Sequence, residues 1–249
     1  MAGVEARSFA RDPARRRALV TGVGRRAGIA ASIADHLRDD GWSVVTTGWR
    51  GYDARMSWGA DDQPLADHEV DFSDPDAPDR LFAALSGTEP ITALVLCHCE
   101  SVDSDIRTTT VASFDRHFAV NARSIWLLVR AFARQLPPDA DGARRIVALT
   151  SDHTAFNLPY GASKGALDRI VLAAATELAD LGVTANVINP GPNDTGWMDD
   201  GVRGAVLDGN LQLRLGTPAD TANLVSFLLS DEGGWVNAQL LHSDGGIRR

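Results

Sequence analysis

Lysine is almost missing from this chain: one residue, Lys164, stands against 23 arginines in 249 residues. Tyrosine is nearly as scarce, with Tyr52 and Tyr160 alone, and cysteine is confined to Cys97 and Cys99. Two cysteines one residue apart on a strand point to opposite faces, and so tight a loop does not suit disulfide geometry, so no disulfide framework is expected. No run approaches the roughly 20 apolar residues of a membrane helix. The arginine-rich start, Met1 to Arg17, lacks the apolar segment of a signal peptide, and residues 1–14 read as a short disordered lead into a cytoplasmic protein. With a net charge of -9, the chain is a poor bulk partner for duplex DNA or anionic membrane, and neither is expected to bind it.

What the chain does contain is an ordinary globular composition, 44% hydrophobic and 23% charged, at a length that suits one large domain over residues 15–249. Arg17–Thr21 reads as a short strand, followed by the loop Gly22-Val-Gly-Arg-Arg-Ala-Gly28 and a helix from Ile29 to Asp40. Further strands are expected at Val44–Thr47, Asp67–Phe72, Ile91–Cys97, Ile146–Thr150, Val183–Ile188 and Leu240–His242. Helices are expected at Pro75–Leu85, Val111–Gln135, Tyr160–Leu181 and Pro218–Leu229. Strands that alternate with helices predict a parallel sheet covered on both faces. The fold class is α/β: a doubly wound, three-layer Rossmann fold in a single domain.

The lone lysine lies four residues after Tyr160, so on a helix the two share a face. An ammonium beside a phenol favours the phenolate and lowers the tyrosine pKa from about 10 towards working pH, which would make Tyr160 a general acid/base. Arginine is a wide fork that stays protonated and does not substitute for a compact amine with a tunable pKa. The glycine loop, through Gly22, Gly24 and Gly28, allows backbone N–H groups to approach a pyrophosphate at a helix N-terminus. At the end of the second strand the sequence runs Thr46-Thr47-Gly48-Trp49-Arg50, without the carboxylate that would hold both ribose hydroxyls of NAD(H). Arg25, Arg26 and Arg50 are candidates for a fork on a 2'-phosphate, so NADP(H) is favoured over NAD(H).

These marks, in this order, resemble the short-chain dehydrogenase/reductase family over about residues 15–247, in its shorter, single-domain branch. They are Thr21-Gly22 with Gly28-Ile29-Ala30, Asp71, Asn121, Ser151, Tyr160-Gly-Ala-Ser-Lys164, Asn189-Pro-Gly-Pro192 with Thr195, and Asp244-Gly-Gly246. The resemblance implies that Tyr160 exchanges a proton with a carbonyl or alcohol, and that Ser151 binds the same oxygen. It further implies that Lys164 binds the nicotinamide ribose and that Asn121 holds a water in a proton relay. Asp71 and Phe72 would meet the adenine, and Pro190, Gly191 and Thr195 the nicotinamide. Thr21, Ile29, Trp49, Cys97 and His98 complete the expected cofactor contacts. The family also implies a homotetramer built on the helices Val111–Gln135 and Tyr160–Leu181.

Three departures from the family pattern stand out. Five residues separate Gly22 from Gly28, about two more than usual, which brings Arg25 or Arg26 closer to the phosphates. Cys97-His98-Cys99 replaces the usual Asn-Ala-Gly beside the adenine ribose; adjacent residues do not converge readily on one ion, so no metal site is expected. Ser151 precedes Tyr160 by nine residues, about four fewer than usual, which alters one wall of the substrate pocket and leaves Thr150 as a second candidate hydroxyl. His153, and Trp197 and Met198 in a lid over residues 193–215, are candidate substrate contacts.

The leading expectation is an NADP(H)-dependent ketoreductase that interconverts a small-molecule ketone and a secondary alcohol; a 3-oxoacyl thioester is one substrate class. The alternatives are an idle NADP(H)-binding regulator and a reductase of imines or activated alkenes.

Overall fold

The computed structural model describes residues 16–136, 143–196, 198 and 200–247. The expected N-terminal lead and the candidate contact Trp197 lie outside them. Seven strands form one sheet: β1 (Arg17–Thr21), β2 (Ser43–Gly48), β3 (His68–Glu69), β4 (Ala93–Leu96), β5 (Arg144–Leu149), β6 (Val183–Asn189) and β7 (Leu240–His242). Their order is β3-β2-β1-β4-β5-β6-β7 and every neighbouring pair is parallel. The chain winds outward in opposite directions from β1 and β4, so a crevice opens between their carboxyl ends.

The helices that cover the sheet are α1 (Ile29–Asp39), α2 (Arg50–Asp53), α3 (Ala77–Leu85), α4 (Val111–Phe118), α5 (Ser124–Gln135), α6 (Leu158–Glu177), α7 (Asp200–Gly209) and α8 (Pro218–Leu229). Successive strand residues face opposite layers. Leu19, Leu94 and Ile146 pack with Phe132 of α5 and Leu167 of α6. Val20, Val95 and Val147 pack with Ile33 of α1 and Val225 of α8. Burying each such side chain fully is worth about 1.5–3 kcal/mol, so both faces of the sheet contribute to holding its carboxyl edge rigid.

Three elements differ from the sequence reading. The third strand shrinks to two residues because the Asp67 carboxylate takes the Thr46 N–H and hydroxyl, both at 2.8 Å, and the Asp71 carboxylate accepts from Ser73 N at 2.9 Å to open a turn. The helix expected over Val111–Gln135 runs through, but Ala119–Arg123 forms a wider π-helical turn between α4 and α5. Inside it Ser124 Oγ donates to Val120 O at 2.6 Å, a bond that competes with the regular ladder. The polar loop after β2 contains the short helix α2, whose role emerges below.

Candidate active site

The carboxyl ends of the strands surround a cleft of about 500 Å³. On one side stand the glycine loop, with Gly22, Gly24, Arg25, Gly28 and Ile29, and Trp49 after β2. Asp71, Phe72, Cys97 and His98 form the next wall. Ser151, His153, Tyr160 and Lys164 lie opposite, and Pro190, Gly191, Thr195 and Met198 close the far end. Thr21, Arg26, Arg50 and Asn121 do not line the cleft.

Helix α6 presents Tyr160 and Lys164 on one face, as their spacing requires. Lys164 is 2% exposed, and its Nζ donates to Leu149 O at the end of β5 at 2.8 Å. It lies 5.8 Å from the centroid of the Tyr160 ring, over the ring and turned towards the strand. The expectation that the ammonium lowers the phenol pKa is therefore corrected. The ring is half-buried, and desolvation pushes the Tyr160 pKa well above its ordinary value, with Cys99 adding to the rise and the Ser151 hydroxyl opposing it by a hydrogen bond. Burial also lowers the Lys164 pKa, against the pull of Cys99, Cys97 and Asp168. Both groups are driven towards their neutral forms.

Ser151, and not Thr150, is the hydroxyl at the phenol. Thr150 Oγ1 turns into α6, where it donates to Lys164 O at 3.5 Å. The short loop from Ser151 to α6 packs directly on the helix: the His153 carbonyl lies against Gly161, where a methyl group would collide with it. Asn157 ties the loop down through Nδ2, which donates to Ser101 Oγ at 2.9 Å and Asp103 Oδ1 at 2.8 Å. His153 is exposed, with its ring edge-on to Tyr160 at 6.4 Å between centroids.

Asn121 is fully buried in the π-helical turn, and its amide is committed to protein. Oδ1 accepts from Glu100 N at 2.7 Å, while Nδ2 donates to Glu100 O at 2.8 Å and Ser163 Oγ at 2.9 Å. It fastens the segment after β4 to α6, whereas the sequence reading gave its side chain to a water.

His98 serves neither metal nor solvent. Its Nδ1 lies 2.7 Å from Thr21 Oγ1 and its Nε2 2.8 Å from Ser124 Oγ. Because Ser124 already donates to Val120 O, it accepts from His98, which assigns the proton to Nε2. The ring packs on Phe72 at 4.4 Å. Burial, assisted by Lys164, lowers its pKa to about 3, so the imidazole is neutral. Burial pushes the Cys97 thiol up to about 12 and raises Cys99 as well, so both are thiols at neutral pH. Among the described residues no group of three or more His, Cys, Asp or Glu could hold a metal ion.

Of the three arginines expected at a 2'-phosphate, only Arg25 lines the cleft. The Arg50 guanidinium is bonded to Asp61 O at 2.9 Å, and Arg26 is exposed, with its backbone N–H on Asp61 Oδ2 at 2.8 Å. Around Trp49 the structure holds instead a cluster that sequence reasoning missed. Glu100, 2% exposed, is paired by Arg55 and by Arg116 Nε at 3.1 Å. The two guanidinium groups flank the Trp49 ring at 5.5 and 4.6 Å. The one local signal was Glu100 itself, a carboxylate four residues beyond a fully apolar strand; its partners lie 45 and 16 positions away.

The cleft suits a dinucleotide. Helix α1 starts at Gly28 with no side-chain cap and no acidic residue in its first turn, so its first N–H groups and positive end are free to meet phosphate. Arg25 stands next to them.

Comparison with known proteins agrees with this architecture. The family model described as enoyl-(acyl carrier protein) reductase matches residues 22–248. The NADPH-dependent aldehyde reductase-like protein of Arabidopsis thaliana chloroplasts is 31% identical over 92% of this chain and 93% of its own length. The 3-oxoacyl-[acyl-carrier-protein] reductase MabA of Mycobacterium tuberculosis H37Rv is 30% identical over 93% and 92%. A crystal structure of a putative short-chain alcohol dehydrogenase from Sinorhizobium meliloti 1021 superposes with a TM-score of 0.78 at 27% identity, covering 93% of this chain and 95% of the other.

The His98 environment predicts a specific acid response. A histidine with a folded pKa of about 3 and an unfolded value of 6.5 binds its proton more readily in the unfolded chain. Its stabilisation is complete above pH 6.5 and is lost as pH falls through that value towards 3. Within this window one such group tilts the unfolding free energy by about 1.4 kcal/mol per pH unit. His117, also lowered by burial, contributes in the same direction. His98→Gln should remove one proton's worth of slope between pH 6 and 5, read from urea midpoints; an unchanged slope would show that His98 is not buried in neutral form.

Proposed function

The chain belongs to the short-chain dehydrogenase/reductase family, whose members are NAD(P)-dependent oxidoreductases of carbonyl and alcohol groups, and on that premise we propose that it interconverts a ketone and a secondary alcohol with NADP(H). The observation that carries this reading is the set of Ser151, Tyr160 and Lys164 on one wall of the cleft, with Lys164 buried behind the ring. A bound nicotinamide supplies or accepts the hydride. Because burial keeps the phenol protonated, Tyr160 stands ready as a proton donor in the reductive direction. Ser151 and the phenol together meet the negative charge that develops on the substrate oxygen. Lys164 keeps its place behind the ring through its bond to Leu149 O at 2.8 Å.

The preference for NADP(H) is supported by the absence of a carboxylate in the sequence at the end of β2 and by the NADPH dependence in the name of the Arabidopsis relative. A 3-oxoacyl thioester is the substrate class suggested by the likeness to MabA. A second reading, reduction of an enoyl double bond, is favoured by the description of the matching family model. A panel of ketones and enoyl thioesters with NADPH separates the two. A homotetramer is supported by the apolar face of α4 and α5, where Val111 is 77% and Trp126 50% exposed. Light scattering after size exclusion should give four times the chain mass, and a monomer would remove this part of the reading.

Tyr160→Phe should lower ketone reduction by about 100-fold or more while leaving the NADPH Kd within about threefold, since a hydroxyl alone is removed. Near-native turnover would exclude Tyr160 as the proton donor. Lys164→Arg should lose activity on a similar scale despite its retained charge, because a planar guanidinium does not fit where a compact ammonium is bonded to Leu149 O; a fully active variant would show that charge alone suffices.

A further inference from the structure

The glycine loop of this protein already faces an anion of its own. Asp53, on the short helix α2, is 7% exposed, and its Oδ2 rests so close to Gly24 that a methyl group there would collide with it. Glycine at this position gives an anion direct approach to the loop backbone. Two partners, themselves in contact, hold the Asp53 side chain in place. Trp58 Nε1 donates to Oδ1 at 3.0 Å, Arg25 Nε lies 3.6 Å from the same oxygen, and the Arg25 guanidinium stacks 5.2 Å from the Trp58 ring. Arg25 continues across the cleft, where its Nη2 donates to Thr195 O at 2.7 Å. A chain of contacts therefore runs from α2 through the lengthened glycine loop to the segment after β6. The segment carrying Asp53 is clasped on its other side too, by Tyr52 Oη to Ser101 O at 3.2 Å and by Arg55 to Glu100.

We propose that Asp53 acts as a surrogate for the cofactor's pyrophosphate: it competes for the glycine loop and for Arg25, and dinucleotide binding exchanges this internal carboxylate for phosphate. Arg25 then serves both states, as partner of Asp53 in one and of the pyrophosphate in the other. This assigns Arg25 to the phosphates shared by NADPH and NADH, and not to the 2'-phosphate that distinguishes them. Burial raises the Asp53 pKa against the pull of Trp58 and Arg25, so the carboxylate is not in a comfortable resting place. The two residues beyond the family's usual loop length supply the reach that Arg25 uses. The inference rests on the dinucleotide reading above.

Titration with NADPH and with NADH, followed by intrinsic fluorescence and calorimetry, tests it without turnover. Asp53→Asn keeps the size and loses the charge, and should tighten both cofactors by about tenfold, the gain expected when a binding-competent state populated at about 10% becomes dominant. Asp53→Ser is a second variant with the same expected direction, and thermal melts verify that each is folded. Arg25→Ala should weaken both cofactors to a similar extent. Folded Asp53 variants that bind as the native protein does, or more weakly, would overturn the proposal while leaving the dinucleotide reading intact. An Arg25→Ala variant that loses affinity for NADPH alone would overturn it in favour of a 2'-phosphate contact. If the native chain and every variant bound neither cofactor, both this inference and the oxidoreductase reading of the cleft would fall together.

Discussion

All seven strands run the same way, so every carboxyl end emerges along one edge, and the backbone groups there have no further strand to pair with. Leaving such groups buried and unpaired costs about 1–3 kcal/mol each. The chain meets this demand with side chains from distant segments. The Leu149 carbonyl is met by Lys164, the Glu100 backbone by Asn121, and the Cys97 N–H by Thr21, which also bonds His98. The same residues that satisfy the sheet edge give the cleft its walls. Their rigidity has two sources at once, the packed layers on both faces and the hydrogen bonds that finish the strands.

Desolvation is the second shaping force. It raises Tyr160 and lowers Lys164, so neither residue holds its charged form cheaply in the folded chain. Around Trp49 the chain takes the other course and pairs the buried Glu100 with Arg55 and Arg116, the latter also 3.4 Å from Asp71. The cleft thus has an ion cluster at one end and, at the other, two groups whose charged forms burial disfavours. That separation follows from where each group is buried, and the sign of a side chain alone would not reveal it.

Local pattern made the parallel sheet, the ends of β1, α8 and β7, and the pairing of Tyr160 with Lys164 readable, because each depends on spacing within one or two elements. The resemblance placed most of the cleft wall as well. What escaped was set by contacts across long sequence separations. Arg50 sits at the expected place in the chain, yet its side chain is drawn to the Asp61 carbonyl. Asp53 lies in a loop that reads as merely polar, and Arg25 contacts Thr195, 170 residues away. His98 reads as a cofactor contact, and the structure makes it also a link between β1 and α5 through Thr21 and Ser124. The direction of the Tyr160 shift was missed for a related reason: adjacency to a cation was legible, whereas burial was not.

The single lysine has a further consequence. On the folded chain, amine-directed chemistry has one side-chain target apart from the α-amino group, and that target is 2% exposed with its nitrogen bonded to Leu149 O. Acylating reagents can react with it only in the moments when its nitrogen leaves the Leu149 carbonyl at the end of β5. The rate of such labelling would therefore count openings of that one seam. By keeping every other cation as a guanidinium, the chain confines all lysine-directed modification of its side chains to the wall of the cleft beside Tyr160.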